Sequence, residues 1–289
     1  RLQFACGAIE FLRPFLGPLY AWAAAGPRFA RPKLPLMIVL ILRYLAGEMA
    51  QTKAMPCQRK ALYMGEVFRL DAKAEGDTVA VGGWRSADGT KAADAKWFSV
   101  SLTRKNAPWA FARGEPFRAI AALELLASLL GLMFLVPEGD SAGESAATLT
   151  LSCGTDNQGN SYLLDRMLTT KYPLGVVLME LAHQMRVRRL VLRARWLPRL
   201  QNEEADALTN LDFRHFKEEN RIPIDLAEIK FGVLDDLFAA GEAYTAELEE
   251  AKSKHKAALQ KIGAEHVRDP LTKKRLKAAG DTLRERDPW

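Results

Sequence analysis

The spacing of apolar positions alternates between helix and strand periods along the chain. Residues 3–15 and 35–49 are apolar-rich, with Gly17, Pro18, Gly26, Pro27, Pro32 and Pro35 as breakers between them, so the first 60 residues read as helical. From 62 to 105 the pattern shortens. Runs at 64–70, 78–84 and 96–102 carry β-branched and aromatic residues, and turn formers such as Glu75-Gly76-Asp77 and Asp88-Gly89 separate them. That predicts three consecutive strands, most simply an antiparallel meander. A long helix is expected from 115 or 116 to about 135, stopped by Pro137. After a Gly-, Ser- and Glu-rich loop at 137–146, a fourth strand is expected at 147–155, with Leu149, Leu151 and Cys153 on one face. Helical stretches at 161–169 and 173–187 precede a fifth strand at 190–197. Asn202 reads as an N-cap, with Glu203 and Glu204 in the first turn of a helix reaching Asn210. A long helical tail at 225–262 and a short basic helix at 270–286 complete the pattern.

Two apolar runs bear on a membrane reading. The run at 34–42 ends at Arg43, short of the ~20 residues a bilayer requires. The run at 119–136 holds one charge, Glu124, and a central carboxylate costs about 2.5–3.5 kcal/mol in a bilayer. A buried helix inside an α/β core is therefore expected, and no membrane partner.

Composition narrows the class. With 289 residues, 48% hydrophobic and 26% charged, the chain is neither wholly disordered nor low-complexity, and its length suits one large domain or two smaller ones. The net charge of +6 is unevenly placed: residues 1–60 carry +7, 61–213 carry −1 and 214–289 are neutral. These shifts divide the chain into a helical N-terminal segment (1–60), an α/β domain (61–213) and a charged helical tail (214–289). Six arginines and no acid lie between Arg186 and Arg199. Two readings stay open: Arg189, Arg193 and Arg195 are the solvent side of an edge strand, or all six arginines make salt-sensitive contacts to nucleic-acid phosphates.

Cys6, Cys57 and Cys153 are odd in number and widely spaced, which excludes a disulfide scaffold and a Cys/His zinc site. A reducing compartment, cytoplasm or nucleus, fits best. The chain begins at Arg1 with no signal peptide in view, and reads as a fragment of something longer. No phosphate-loop or dinucleotide-binding glycine motif occurs, and Ser152 and Cys153 have no base near them in sequence. Trp84, Trp97 and Trp109 are expected to pack rather than to stack on bases, and the four histidines are assigned no role.

Four acids fall at telling places. Asp71 ends the first strand, Glu124 interrupts the long apolar helix, Asp156 follows the fourth strand and Asp206 lies early in the helix after the fifth. Each alone has a bland explanation: a turn, a helix dipole, or for Glu124 a salt bridge to Arg118 or to an arginine of 186–195. Glu124 is the hardest to dismiss, because an acid in an apolar helix requires a partner or a metal.

In this order the residues resemble the ribonuclease H fold, closest to the domain that follows the polymerase in retrotransposon reverse transcriptases of the DIRS-like group. The matching stretches are Leu70-Asp71-Ala72, Gly82-Gly83-Trp84, Ala122-Leu123-Glu124-Leu125-Leu126, Thr155-Asp156-Asn157-Gln158, Trp196-Leu197-Pro198 and Glu204-Ala205-Asp206-Ala207-Leu208, within about 62–212. Residues 1–55 match the preceding connection region more weakly. The resemblance implies a mixed five-stranded sheet flanked by helices, and hydrolysis of the RNA strand of RNA–DNA hybrids. It further implies Asp71, Glu124, Asp156 and Asp206 as catalytic metal ligands, and the polymerase part of the same polyprotein as a partner. Asn157 and Gln158 are the candidates for 2′-hydroxyl contacts.

The chemistry is consistent with that set. Two carboxylates ~4 Å apart repel by about 1 kcal/mol in water and about 4 at an effective dielectric of 20, so a cluster of them needs cations. Oxygen ligands suit two Mg²⁺ ions, with Mn²⁺ as a substitute. Many members of the family carry a histidine shortly before the last aspartate; 197–204 contains none. That departure keeps two alternatives in play: a fold that has lost catalysis and binds nucleic acid or serves structure, and a nuclease with a DNA substrate.

Overall fold

The computed structural model describes residues 2–25, 33–51, 60–76, 78–112, 114–137 and 147–266. Cys57, the helix expected at 270–286 and most of the 137–146 loop lie outside them.

Three helices lead: α1 (Leu2–Ala8), α2 (Leu16–Ala25) and α3 (Leu36–Gln51), with a 3₁₀ segment at Glu10–Phe15. β1 (Lys60–Glu75), β2 (Thr78–Arg85) and β3 (Trp97–Leu102) follow, then α4 (Pro108–Phe111) and α5 (Ile120–Phe134). Next come β4 (Ala147–Thr155), α6 (Gln158–Arg166), α7 (Leu174–Val187), β5 (Leu190–Trp196), α8 (Glu203–Thr209) and α9 (Leu234–His266).

The strands form one sheet in the order β3-β2-β1-β4-β5. β1, β2 and β3 pair antiparallel, whereas β4 pairs parallel with both β1 and β5. This is the expected mixed five-stranded sheet flanked by helices. β1 is longer than its apolar run because its two halves have different partners. Lys60 to Arg69 pairs with β4, and Phe68 to Glu75 with β2. The register shifts between Tyr63 and Phe68, beside Gly65 at φ 77°.

The core is centred on α5, whose residues Ala122 to Leu132 are all buried. A helix apolar on every side must be enclosed, and α5 lies between the sheet and α7. The stretch Pro116–Phe134 is long and apolar enough to cross a membrane by composition, but 67% of it is buried inside the fold. Cys6, Leu12, Phe15, Ile41 and Leu45 from the N-terminal helices join the same cluster as Leu237 and Tyr244 of α9. Trp84, Trp97 and Trp109 are buried.

Local chemistry changed three expectations. Gly17 and Pro18, read as breakers, instead sit in the first turn of α2. Proline has no amide bond to lose there, and the Thr169 carbonyl occupies the space a Cβ on Gly17 would need. The tail helix starts at Leu234 rather than 225. Asn202 precedes α8 but does not cap it through its side chain; its Nδ2 donates to the Leu70 carbonyl at 2.9 Å.

The start of α9 is gripped by Glu180 of α7, which is fully buried. Its carboxylate accepts the backbone N–H groups of Gly232 (3.1 Å), Val233 (2.8 Å) and Leu234 (3.0 Å), and the Gln184 amide at 2.8 Å. The unpaired donors at a helix start and an otherwise isolated buried charge satisfy one another.

Candidate metal centre

β1 and β4 run side by side as far as Arg69 and Gly154, and the residues just beyond that pairing line a polar site. Asp71 lies two residues past it, inside β1 rather than at the strand end, opposite Gly82 of β2. Gly82 lets α8 lie close against the sheet: a Cβ there would be 2.7 Å from Leu208 Cβ. The approach brings Thr209 Oγ1 to Asp71 Oδ2, to which it donates at 2.8 Å. The Ser99 hydroxyl donates to the Leu208 carbonyl at 2.8 Å and fixes the same helix from β3.

Glu124 reaches the site from α5, and Asp156 follows β4. One carboxylate oxygen from each of Asp71, Glu124 and Asp156 lies within 4.8 Å of the other two. Asp71 is 6% exposed and Glu124 4%. The Thr155 hydroxyl lies 3.5 Å from Glu124 Oε2 and accepts the Asn157 N–H at 3.1 Å. Among the described residues no arginine pairs with Glu124. Arg118 lies near the Phe117 ring, Arg186 pairs with Glu48, and Arg193 pairs with Asp165 at 3.2 Å.

The electrostatics follow from burial and crowding. Burial pushes Asp71 up to about 6 from 3.8; the Thr209 hydrogen bond opposes the rise, and Asp156 and Asp206 add to it. Glu124 rises well above the usual carboxylate range through burial and then through Asp71 and Asp156. Asp156 also rises through burial, with Arg199 pulling the other way. Burial and mutual repulsion thus shift all three toward their protonated forms, and a bound cation would shift them back. Their donor set is all oxygen and suits a hard divalent ion.

Asp206 stands beside this trio but outside it. Arg199 Nη2 meets its Oδ1 at 2.7 Å, and Asn210 Nδ2 donates to its Oδ2 at 2.8 Å. Asn157 Oδ1 accepts the Asn160 N–H at 3.1 Å and so caps α6, while Gln158 is exposed in the first turn.

The arginines scatter. Arg189 is exposed at φ 55° ahead of β5, about 20 Å along the strand from the end that carries Trp196. Arg195 lies 4.0 Å from Glu66, and Arg188 donates to the Met133 carbonyl at 3.2 Å. Sequence reasoning missed Thr155 and Thr209, although Thr155 lies within a motif that pointed to the acids, and it read Arg199 only as part of a basic run, not as the partner of Asp206. Trp196 Nε1 donates to the Asp156 carbonyl at 3.0 Å, tying β5 to the end of β4.

No family model matches the sequence, and no curated protein matches it. Among solved structures, an RNase H1 from the halophilic archaeon Halobacterium salinarum NRC-1 matches over 53% of this chain and 97% of that one. The identity is 16% and the TM-score 0.33, a likeness that leaves the carboxylate geometry to stand by itself.

Proposed function

We propose that the chain is a divalent-metal-dependent nuclease of ribonuclease H type that hydrolyses the RNA strand of RNA–DNA hybrids. In this reading it works beside the polymerase part of a retroelement reverse transcriptase polyprotein, as its motifs resemble. The observation that carries the reading is the convergence of Asp71, Glu124 and Asp156 within 4.8 Å where β1 and β4 part. Bound there, two Mg²⁺ ions, or Mn²⁺, supply the charge that activates a water and stabilises the leaving oxygen of a phosphodiester.

The chain's own residues do the rest. Asp71, Glu124 and Asp156 hold the ions, with Asp206 as the fourth ligand. Thr209 orients Asp71 by donating at 2.8 Å, and the Thr155 hydroxyl lies 3.5 Å from Glu124. Burial of the first two ligands keeps bulk water from diluting their charge. Asn157 and Gln158, which directly follow Asp156 in the chain, are the candidates to read a 2′-hydroxyl. Arg193 and Arg195 lie further along β5 as phosphate contacts.

The test is cleavage of an end-labelled hybrid with Mg²⁺, with Mn²⁺ and with EDTA. Metal-dependent cuts confined to the RNA strand are expected. Asp156→Asn should reduce them to background while hybrid binding persists; unchanged cutting by that variant would overturn the reading. A second reading, a nucleic-acid-binding fold without catalysis, is favoured by one observation: Asp206 is already engaged by Arg199. Hybrid binding with no cuts in either metal would select it.

A further inference from the structure

The segment between β5 and α8 offers a cation to the carboxylates from a fixed backbone. Leu197 N–H donates to the Thr155 carbonyl at 2.8 Å, Arg69 Nη1 to the Gln201 carbonyl at 2.8 Å, and Asn202 Nδ2 to the Leu70 carbonyl at 2.9 Å. Between these anchors Arg199 opens a 3₁₀ turn. Its side chain is 77% exposed, yet its guanidinium meets Asp206 at 2.7 Å. Asp206 first, and then Asp71 and Asp156, hold the arginine above its usual pKa, so the guanidinium senses the whole acidic group.

Resting on the reading of the trio as a metal centre, we propose that Arg199 is an exchangeable internal counter-ion. In the metal-free protein it keeps Asp206 out of the ligand set. When cations enter it gives up Asp206, and its guanidinium turns to a phosphate of the bound strand. An exposed ion pair is weak and exchanges readily, whereas a divalent ion among desolvated carboxylates is the stronger competitor. The planar guanidinium suits a phosphate as well as a carboxylate, so the released group has a second partner of matching geometry. The exchange leaves the backbone anchors at 197, 201 and 202 closed; the side chains that turn are those of Arg199 and Asp206, and Asp206 also gives up the Asn210 Nδ2 bond at 2.8 Å. Arg199 is thus a positioning residue for Asp206.

A bystander charge would tighten metal binding equally with or without Asp206, so calorimetric titration of the full chain with Mg²⁺ or Mn²⁺, without nucleic acid, compares the arginine variants in both backgrounds. Arg199→Ala should bind metal about fivefold more tightly, the effect of removing one unit charge ~4 Å from a ligand in water. Arg199→Lys should return to near the parent affinity. In an Asp206→Asn background the alanine change should move affinity less than about twofold. With metal present, the alanine variant should also lower the slope of log hybrid affinity against log salt by about one, the signature of one lost phosphate contact.

Unchanged metal affinity in a folded Arg199→Ala protein overturns the proposal, even where the parent chain cuts hybrids. Tighter metal binding by the variant, from a chain that never cuts RNA, supports the counter-ion and overturns the nuclease. A parent chain that binds no metal overturns both.

Discussion

Glu124 and Glu180 are the same group in nearly the same burial, 4% and 0% exposed, on two neighbouring helices of the core. Their surroundings are opposite. Glu180 faces three backbone N–H groups at the start of α9 and the Gln184 amide. Glu124 faces two more carboxylates, with the Thr155 hydroxyl at 3.5 Å. Burial alone therefore does not mark a functional acid; the sign of what surrounds it does. An acid among donors is already satisfied and holds two elements together. An acid among acids waits for a cation.

The pair of variants Glu124→Gln and Glu180→Ala puts this contrast to its hardest test. Glu124→Gln should take hybrid cleavage and calorimetric metal binding to background with little change in the melting temperature of the metal-free protein, since burial and its acidic neighbours already hold Glu124 toward its neutral form. Glu180→Ala should lower stability by about 3–5 kcal/mol in urea, because the donors at the start of α9 lose their acceptor. Two variants that destabilise alike would erase the distinction.

The next effect is a pH dependence that Asp71 contributes from the acidic site. Asp71 stands at about 6 in the folded protein against 3.8 for an ordinary aspartate, so the native state takes up its proton more readily than the unfolded one. Below pH ~4 both states are protonated and the contribution is fully present. It is lost as pH rises through about 6, a fall of about 3 kcal/mol in the metal-free chain. Mg²⁺ requires the deprotonated form and should restore stability above that pH. Melting at pH 4.5 and 7.5, with and without Mg²⁺, checks this against Asp71→Asn, in which the metal-free pH drop should shrink.

The smallest effect concerns Thr209. Thr209→Val removes the hydroxyl that donates to Asp71 at 2.8 Å and should raise the midpoint pH of Mg²⁺ binding by roughly 0.5–1 unit. No shift would mean the hydroxyl does not stabilise the ionised carboxylate.

Much of this was legible in the chain itself. β2 to β5 begin and end within a residue or so of their apolar runs, because alternation and turn formers are local signals. Asp71, Glu124 and Asp156 stood out because each interrupts or ends an apolar pattern. What was missed depends on distant partners. The acid-free arginine run acquires Glu48, Asp165 and Asp206 only through the fold. Glu180 looked like any helix residue until α9 arrived 52 positions later, at Gly232. α2 escaped notice because its glycine and proline carry meanings that only a neighbouring carbonyl decides.

The sheet order also sets when the centre can exist. Arg69 of β1 meets Gly154 of β4, 85 positions away, whereas β1 to β3 close as adjacent hairpins. Local hairpins form early and long-range parallel pairing late, so a chain growing from its N-terminus has its meander before its third clustered carboxylate. Asp71 and Glu124 are both made before β4, and Asp156 arrives only at the end of that strand. The acidic trio is in this sense a certificate of assembly: it comes together when the non-local half of the sheet has closed, and not before.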